Sequence, residues 1–293
     1  MSKTFLKERK YITLFALLIN FFLHFLGLER SVEAKPSRVI SMNLCSDELV
    51  LRLADRSNIA AITSSSLVPD ISSVVDLAQG LTTTKGTLEE VITLDPDLVI
   101  AGRYDSQKIN ILKKLGINVM SVGIAKNFDD LKKNIREIAS VLEEEEKGDA
   151  LIKDMDNRLK KIQNQKTSPV NGVFYRTGGL TAGEDSIIND MMVSAGVNNI
   201  ATQFSTRSAR HIEMENLIIG NPELIIFSNY KIDAPTVRRA LLTHPAIRKG
   251  FSGLREVYLP SQYLICGSPA TIDAAEILSK YIQDNFDSLK EQK

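Results

Sequence analysis

The sequence predicts an α/β protein of two Rossmann-like lobes with mostly parallel sheets, joined by one long α-helix. Three observations predict it. Short apolar runs alternate with segments of helical periodicity in both halves of the chain, as expected of parallel strands covered on both faces. Between the halves, Phe128 to Gln165 carries no Pro and only one Gly, Gly148. A stretch of the first half also recurs in the second at a constant offset of 126 residues.

A chain of 293 residues is long enough for two compact domains. Lys and Arg together number 36, as do Asp and Glu. This balance gives no reason to expect nucleic acid or an anionic membrane surface as the main partner. Trp is absent and aromatics make up 6%, a poor endowment for stacking on bases or sugars. The first 34 residues read as a secretory signal: Lys3, Lys7, Arg9 and Lys10, then the apolar run Tyr11–Leu28, then Ser31-Val32-Glu33-Ala34 with small residues where a peptidase reads. Cleavage is expected after Ala34, the alternative being a retained anchor. With no Cys near that site, a lipid-anchored form is disfavoured. Loss of residues 1–34 removes five basic and three acidic residues and leaves a formal charge of −2.

Residues 38–43 read as a buried strand, followed by a helix over 46–54 with Ser46 as N-cap and Asp47 and Glu48 favoured by the helix dipole. Residues 59–63 form a second strand, and the polar stretch 64–86 reads as loop. Thr87 caps a helix that Asp95-Pro96-Asp97 stops. A strand at 98–101, a helix at 106–115 ended by Gly116, and a strand at 117–122 complete the first lobe, assigned to 35–127. Apolar residues from Leu131 to Ile162 recur at three- and four-residue spacing, except near Glu143–Glu146. They read as one connecting helix over 128–166, about 55 Å long if continuous; two helices turning at Gly148 are the alternative. The second lobe, 167–293, carries strands at 170–175, 224–227 and 256–259 and helices at 186–195, 214–219, 235–242 and 269–286. The recurring stretches are Leu88–Ile100 and Met214–Ile226, each a helix, a Pro-containing turn and a strand, with Glu89 and Glu215 in phase.

These features together resemble the helical-backbone periplasmic solute-binding proteins of ABC importers, the family that carries siderophores, haem and cobalamin. The resemblance rests on Arg38–Asn43 with its helix, Leu88–Ala101, the spine 128–165, Gly183–Ile200 and Cys266-Gly267-Ser268-Pro269. It implies a cleft between lobes, a monomer that binds a small metal chelate without altering it or needing a cofactor, and a permease and ATPase complex at the inner membrane as partner. It also implies that one Glu on each lobe, here Glu89 and Glu215, docks on permease Arg residues. Two equivalent carboxylates suit a two-fold partner; ordinary first-turn helix acids are the competing explanation.

Ligands in open α/β lobes bind beyond the carboxyl ends of the strands. The candidates are therefore Asn43, Cys45, Arg103 and Tyr104 in the first lobe, and Arg207, Arg210, Tyr230 and Cys266 in the second, with Arg176 also following a strand. The Arg residues suit an anionic chelate, since a guanidinium forks onto paired oxygens. An iron siderophore is favoured on that ground, with haem or cobalamin as alternatives. Cys45 and Cys266 are compatible with free thiols, soft metal ligands or a cross-lobe disulfide. His211 and His244 are too few for a His-rich metal-ion pocket. A two-lobed Rossmann-like enzyme such as a glycosyltransferase is the rival class. It would need a Gly-rich phosphate loop, yet the first turn reads Met42-Asn43-Leu44-Cys45-Ser46-Asp47.

Overall fold

A computed structural model describes residues 34–165, 168–176, 179–204, 210–228, 251 and 253–287. The chain divides into two units, Met1–Lys35 and Pro36–Lys293, and both lobes belong to the second. The signal segment, the helix expected at 235–242 and His244 lie outside the described residues. Among the described residues no helix is long and apolar enough to cross a membrane.

The first lobe is a five-stranded parallel sheet. Its strands are β1 (Val39–Ser41), β2 (Ile59–Thr63), β3 (Thr83–Thr84), β4 (Leu98–Gly102) and β5 (Val119–Val122), in the order β3-β2-β1-β4-β5. Four helices connect them: α1 (Leu44–Leu53), α2 (Val75–Ala78), α3 (Leu88–Thr93) and α4 (Ser106–Lys114). The segment expected to be loop at 64–86 thus holds α2 and the edge strand β3. Two-residue β3 is too short for its alternation to be read from sequence. A second correction concerns α1, which starts two residues before the expected position. Asn43 is its N-cap, accepting from the Ser46 amide at 3.0 Å, while the Ser46 hydroxyl donates back to the Asn43 carbonyl at 2.9 Å.

The spine is also corrected. It is two helices, α5 (Phe128–Val141) and α6 (Glu145–Gln163). Glu143 takes a left-handed φ of 54°. The Glu144 amide donates to the Ala139 carbonyl at 2.8 Å and the Glu143 amide to Ser140 at 3.2 Å, a Schellman ending that reverses the chain. Sequence reasoning expects Gly at such a turn, and Glu there disguises it. The helices pack antiparallel: Lys132 meets Asp156 at 2.6 Å, and a Cβ on Gly148 would lie 2.7 Å from that of Ala139. Only α6, 19 residues and about 28 Å long, joins the lobes. The turn lies at Glu143–Glu144 and not at Gly148, which is where the two helices touch.

The second lobe carries β6 (Val170–Tyr175), β7 (Leu180–Thr181), α7 (Ile187–Ser194), β8 (Val197–Asn199), β9 (Arg210–His211), α8 (Met214–Gly220), β10 (Leu224–Ser228), β11 (Arg255–Leu259) and α9 (Thr271–Ile282). Its main sheet is parallel, in the order β11-β10-β6-β8, beside an antiparallel β7-β9 ribbon. The internal repeat survives to atomic detail. Asp95 and Asn221, 126 residues apart, both turn helix into strand with left-handed φ of 47° and 41°. Two residues on, the Asp97 carboxylate accepts from the Arg38 amide and the Glu223 carboxylate from the Asn171 amide, each tying β4 or β10 to the start of the strand beside it.

Strand residues alternate between faces. Val39, Leu98 and Ile100 face one core, and Ile40, Val99 and Ala101 another. The first of these cores does not stop at the lobe boundary. It runs through α1, α5, α6, α7 and α9 and takes in Leu224 and Ile226 of β10. Arg158 of α6 reinforces it at the surface, meeting Asp273 at 2.5 Å and Glu276 at 2.7 Å on α9.

Gly148→Ala tests this packing against helix propensity. Propensity alone favours Ala by about 1 kcal/mol. The close approach to Ala139 reverses the sign, and urea unfolding should show a net loss of about 1–2 kcal/mol. Unchanged or raised stability would mean that α5 and α6 stand further apart at this crossing.

Candidate functional site

Each sheet has one point where connections leave in opposite directions, between β1 and β4 in the first lobe and between β6 and β10 in the second. Open parallel sheets bind ligands beyond the strand ends at such points. A cavity of about 530 Å³ lies at the first, lined by Asn43, Cys45, Arg103, Tyr104, Ile124 and Ile265 among others. A second, of about 290 Å³, lies at the other, lined by Ile71, Phe174, Arg176, Ser228, Leu264 and Ile265. Ile265 borders both, and each cavity takes residues from both lobes.

The structure brings together Asn43, Cys45, Arg103 and Tyr104. Gly102 is what allows Asn43 in, since a Cβ there would lie 2.7 Å from the Asn43 amide nitrogen. Arg103 is exposed and Tyr104 is 86% exposed, both in a 3-10 turn directly after β4. Arg176, directly after β6, is exposed as well. Among the described residues neither guanidinium is engaged in an ion pair. Arg207 and Tyr230 lie outside the described residues, and Arg210 is placed only by its backbone in β9. Cys45 and Cys266 form a disulfide, with Cα atoms 5.2 Å apart. That decides between the alternatives the sequence left open. Among the described residues no cluster of His, Cys, Asp or Glu could hold a metal ion.

Sequence reasoning misses Ile124 and Ala125 after β5, although the strand-end rule that finds Arg103 reaches them too. It also misreads Asp47 and Glu48. The helix dipole alone accounts for them in the sequence, yet both are fully buried. Asp47 accepts from the Thr63 amide at 3.1 Å, the Thr63 hydroxyl, and the Ser66 hydroxyl at 2.7 Å. Glu48 accepts from the Ser73 amide at 3.0 Å and hydroxyl at 2.6 Å. The two carboxylates thus fasten the segment after β2, which carries Ile71 to the second cavity. Burial pushes Asp47 up to about 6, outweighing the hydrogen bonds from Ser41, Thr63 and Ser66 that favour its charged form.

Residues 39–249 match the model of the periplasmic binding protein family. The chain belongs to that family. A curated relative, the uncharacterised ABC transporter substrate-binding lipoprotein YvrC of Bacillus subtilis (strain 168), is 26% identical over 67% of this chain and 65% of its own length. A cobalamin-binding protein of Halobacterium salinarum is 23% identical over 74% of this chain and 60% of its own. The chain thus spans less than two thirds of these relatives. Among solved structures, a possible iron-binding (periplasmic solute-binding) protein of Staphylococcus epidermidis superposes with a TM-score of 0.72 at 20% identity, covering 85% of this chain and 99% of that one. This family member carries two parallel sheets with their strand ends turned toward a shared cleft.

Asp47 titrates with a definite sign. Its folded value of about 6 stands above its ordinary 3.8, so the folded state holds the proton more tightly. The contribution is complete below about pH 4 and is lost as pH rises through 6, a change of roughly 3 kcal/mol. Chemical denaturation of wild type and Asp47→Asn between pH 4 and 7 should give a difference that shifts against wild type by that amount. A difference flat in pH would place Asp47 in water.

Proposed function

We propose that this protein is the solute-binding component of an ABC importer, which captures a metal chelate between its lobes and hands it unaltered to a membrane permease. The observation that carries this is the pairing of cavities at the switch points of two parallel sheets, facing one cleft and sharing Ile265. Arg103 and Arg176, one after β4 and one after β6, offer forked donors to an anionic ligand, which favours an iron siderophore. A haem or cobalamin ligand is the second reading, favoured by the apolar lining of the larger cavity: Leu44, Leu49, Val122, Ile124, Ala125 and Ile265. Export with cleavage after Ala34 belongs to the same proposal, since such a receptor works outside the inner membrane.

Glu89 and Glu215 are both exposed, each in the first turn of its helix, at matching positions of the repeat. We assign them to docking on a two-fold permease with its ATPase, where each carboxylate meets a cationic side chain.

Residues 35–293 titrated separately with a ferric catecholate, haemin and cyanocobalamin should show Tyr quenching by one class, with a Kd at or below about 1 μM, the range of about −8 kcal/mol. Arg103→Ala should weaken an anionic chelate at least about tenfold, the cost of a charge-assisted hydrogen bond. Silence with all three alongside turnover of a nucleotide sugar would replace the receptor reading by an enzyme. Glu89→Lys with Glu215→Lys should abolish stimulation of the importer's ATPase while leaving chelate affinity unchanged; stimulation that survives the double reversal removes the docking assignment.

A further inference from the structure

Beside the cleft the lobes meet along a line of contacts, and one covalent bond lies in it. Cys45 is the second residue of α1, directly after β1. Cys266 lies in the loop between β11 and α9, 221 positions later. Cys45 lines the larger cavity together with Ile265 and Gly267, the two neighbours of Cys266. The bond therefore crosses from one lobe to the other at the wall of the site itself.

Weaker contacts continue the line. A Cβ on Gly267 would lie 3.2 Å from the Ala125 Cβ and 3.3 Å from its carbonyl oxygen, so the loop backbone of one lobe rests on that of the other. Lys126 faces Asp185 at 3.5 Å. The Phe128 amide donates to the Asp190 carboxylate at 2.8 Å. Phe128 is the first residue of α5, and a first-turn amide has no partner within its own helix. Its partner is supplied by the opposite lobe, so its protection reports directly on whether the lobes are together.

We infer that the Cys45–Cys266 disulfide is a covalent clamp that fixes the width of the cleft, so that ligand capture at full affinity requires the oxidised protein. The lobes are otherwise joined through α6 and the shared core, which reaches this wall at Ala125, Phe128 and Ile187. Without the bond, the wall is held among the described residues by the Gly267 packing, one ion pair, one hydrogen bond and that edge of the shared core, none of them covalent. A fraction of molecules then stands open, and apparent affinity falls by that fraction.

The bond is chemically addressable from one side. Cys45 is exposed, whereas Cys266 is 2% exposed. A dithiol reductant attacks the Cys45 sulfur as thiolate, forming a mixed disulfide and releasing Cys266 as a thiolate that takes up a proton. The second reductant thiol then displaces Cys45, leaving two protein thiols and one oxidised reductant. In a reducing compartment the cleft is unclamped, and it is set only where disulfides form. Capture is thereby tied to export, a consequence that rests on the proposed receptor function. The clamp itself does not rest on it.

The test uses residues 35–293, oxidised and after treatment with dithiothreitol, with a Cys45→Ser/Cys266→Ser variant as a reductant-free equivalent. Amide exchange is read by NMR at Phe128, whose Asp190 partner belongs to the opposite lobe, and at Ile226 in β10 as a core control. The inference expects exchange at Phe128 to rise at least tenfold on reduction and in the variant, with Ile226 unchanged. Whichever of haemin, cyanocobalamin or ferric catecholate binds the oxidised protein should bind the reduced protein at least fivefold more weakly. Equal Phe128 exchange in both redox states overturns the clamp. So does a loss of protection that includes Ile226, because the bond would then be a general stability element. Equal affinity with faster Phe128 exchange also overturns it, since cleft width would not govern capture. If no probe binds the oxidised protein, the receptor reading loses its support while the exchange result still decides the clamp.

Discussion

A single hydrophobic core crosses the molecule from one sheet to the other, and the rest of the structure depends on it. The central strands of each sheet bury both faces, and alternate residues divide between an outer core, one for each lobe, and this inner one. Val39, Leu98 and Ile100 meet it from the first sheet, Leu224 and Ile226 from the second, with Ile135, Met155 and Leu278 of three different helices between them. Burial of such side chains is worth about 2 kcal/mol apiece. Swinging one lobe far from the other would expose many of them at once. The lobes are thus two in topology and one in packing.

That constraint decides where function can sit. With both faces of each sheet covered by helices, the polar backbone at the strand ends is what remains open to a ligand. The loops after β1, β4 and β5 form one wall, and Arg176 after β6, Ser228 at the end of β10 and Leu264 and Ile265 after β11 line another. Their mutual placement is held by α6, by the Arg158 cluster with Asp273 and Glu276, and by the contacts from Cys45–Cys266 to Phe128–Asp190. The buried carboxylates of Asp47 and Glu48 extend the same logic to a long connection. By accepting from Thr63, Ser66 and Ser73 they hold a segment with little regular structure against α1.

The pseudo-symmetry is local and does not extend to every element. Asp95 with Asp97 and Asn221 with Glu223 repeat the same turn and the same strand tie. Among the described residues the sheets around them differ in strand number, and only the second lobe has an antiparallel ribbon, β7-β9. Equivalent helices α3 and α8 nevertheless carry Glu89 and Glu215 at equivalent first-turn positions.

By itself the sequence determined the fold class, most strand positions, the repeat, and the candidates Asn43, Arg103 and Tyr104, because apolar periodicity and strand ends are local properties of the chain. It did not determine the break in the spine. Glu143 occupies a left-handed turn that composition assigns to Gly, and the hairpin is held by Ala139, Gly148 and Lys132–Asp156, contacts between distant positions. Nor did it determine the burial of Asp47 and Glu48, whose donors come from the segment after β2, or the apolar residues that line the cavities. The Cys45–Cys266 bond was an open choice until tertiary structure brought two residues 221 positions apart to a Cα separation of 5.2 Å. Periodicity specifies which face of an element is buried, whereas its partner across the core is set only when the whole chain packs.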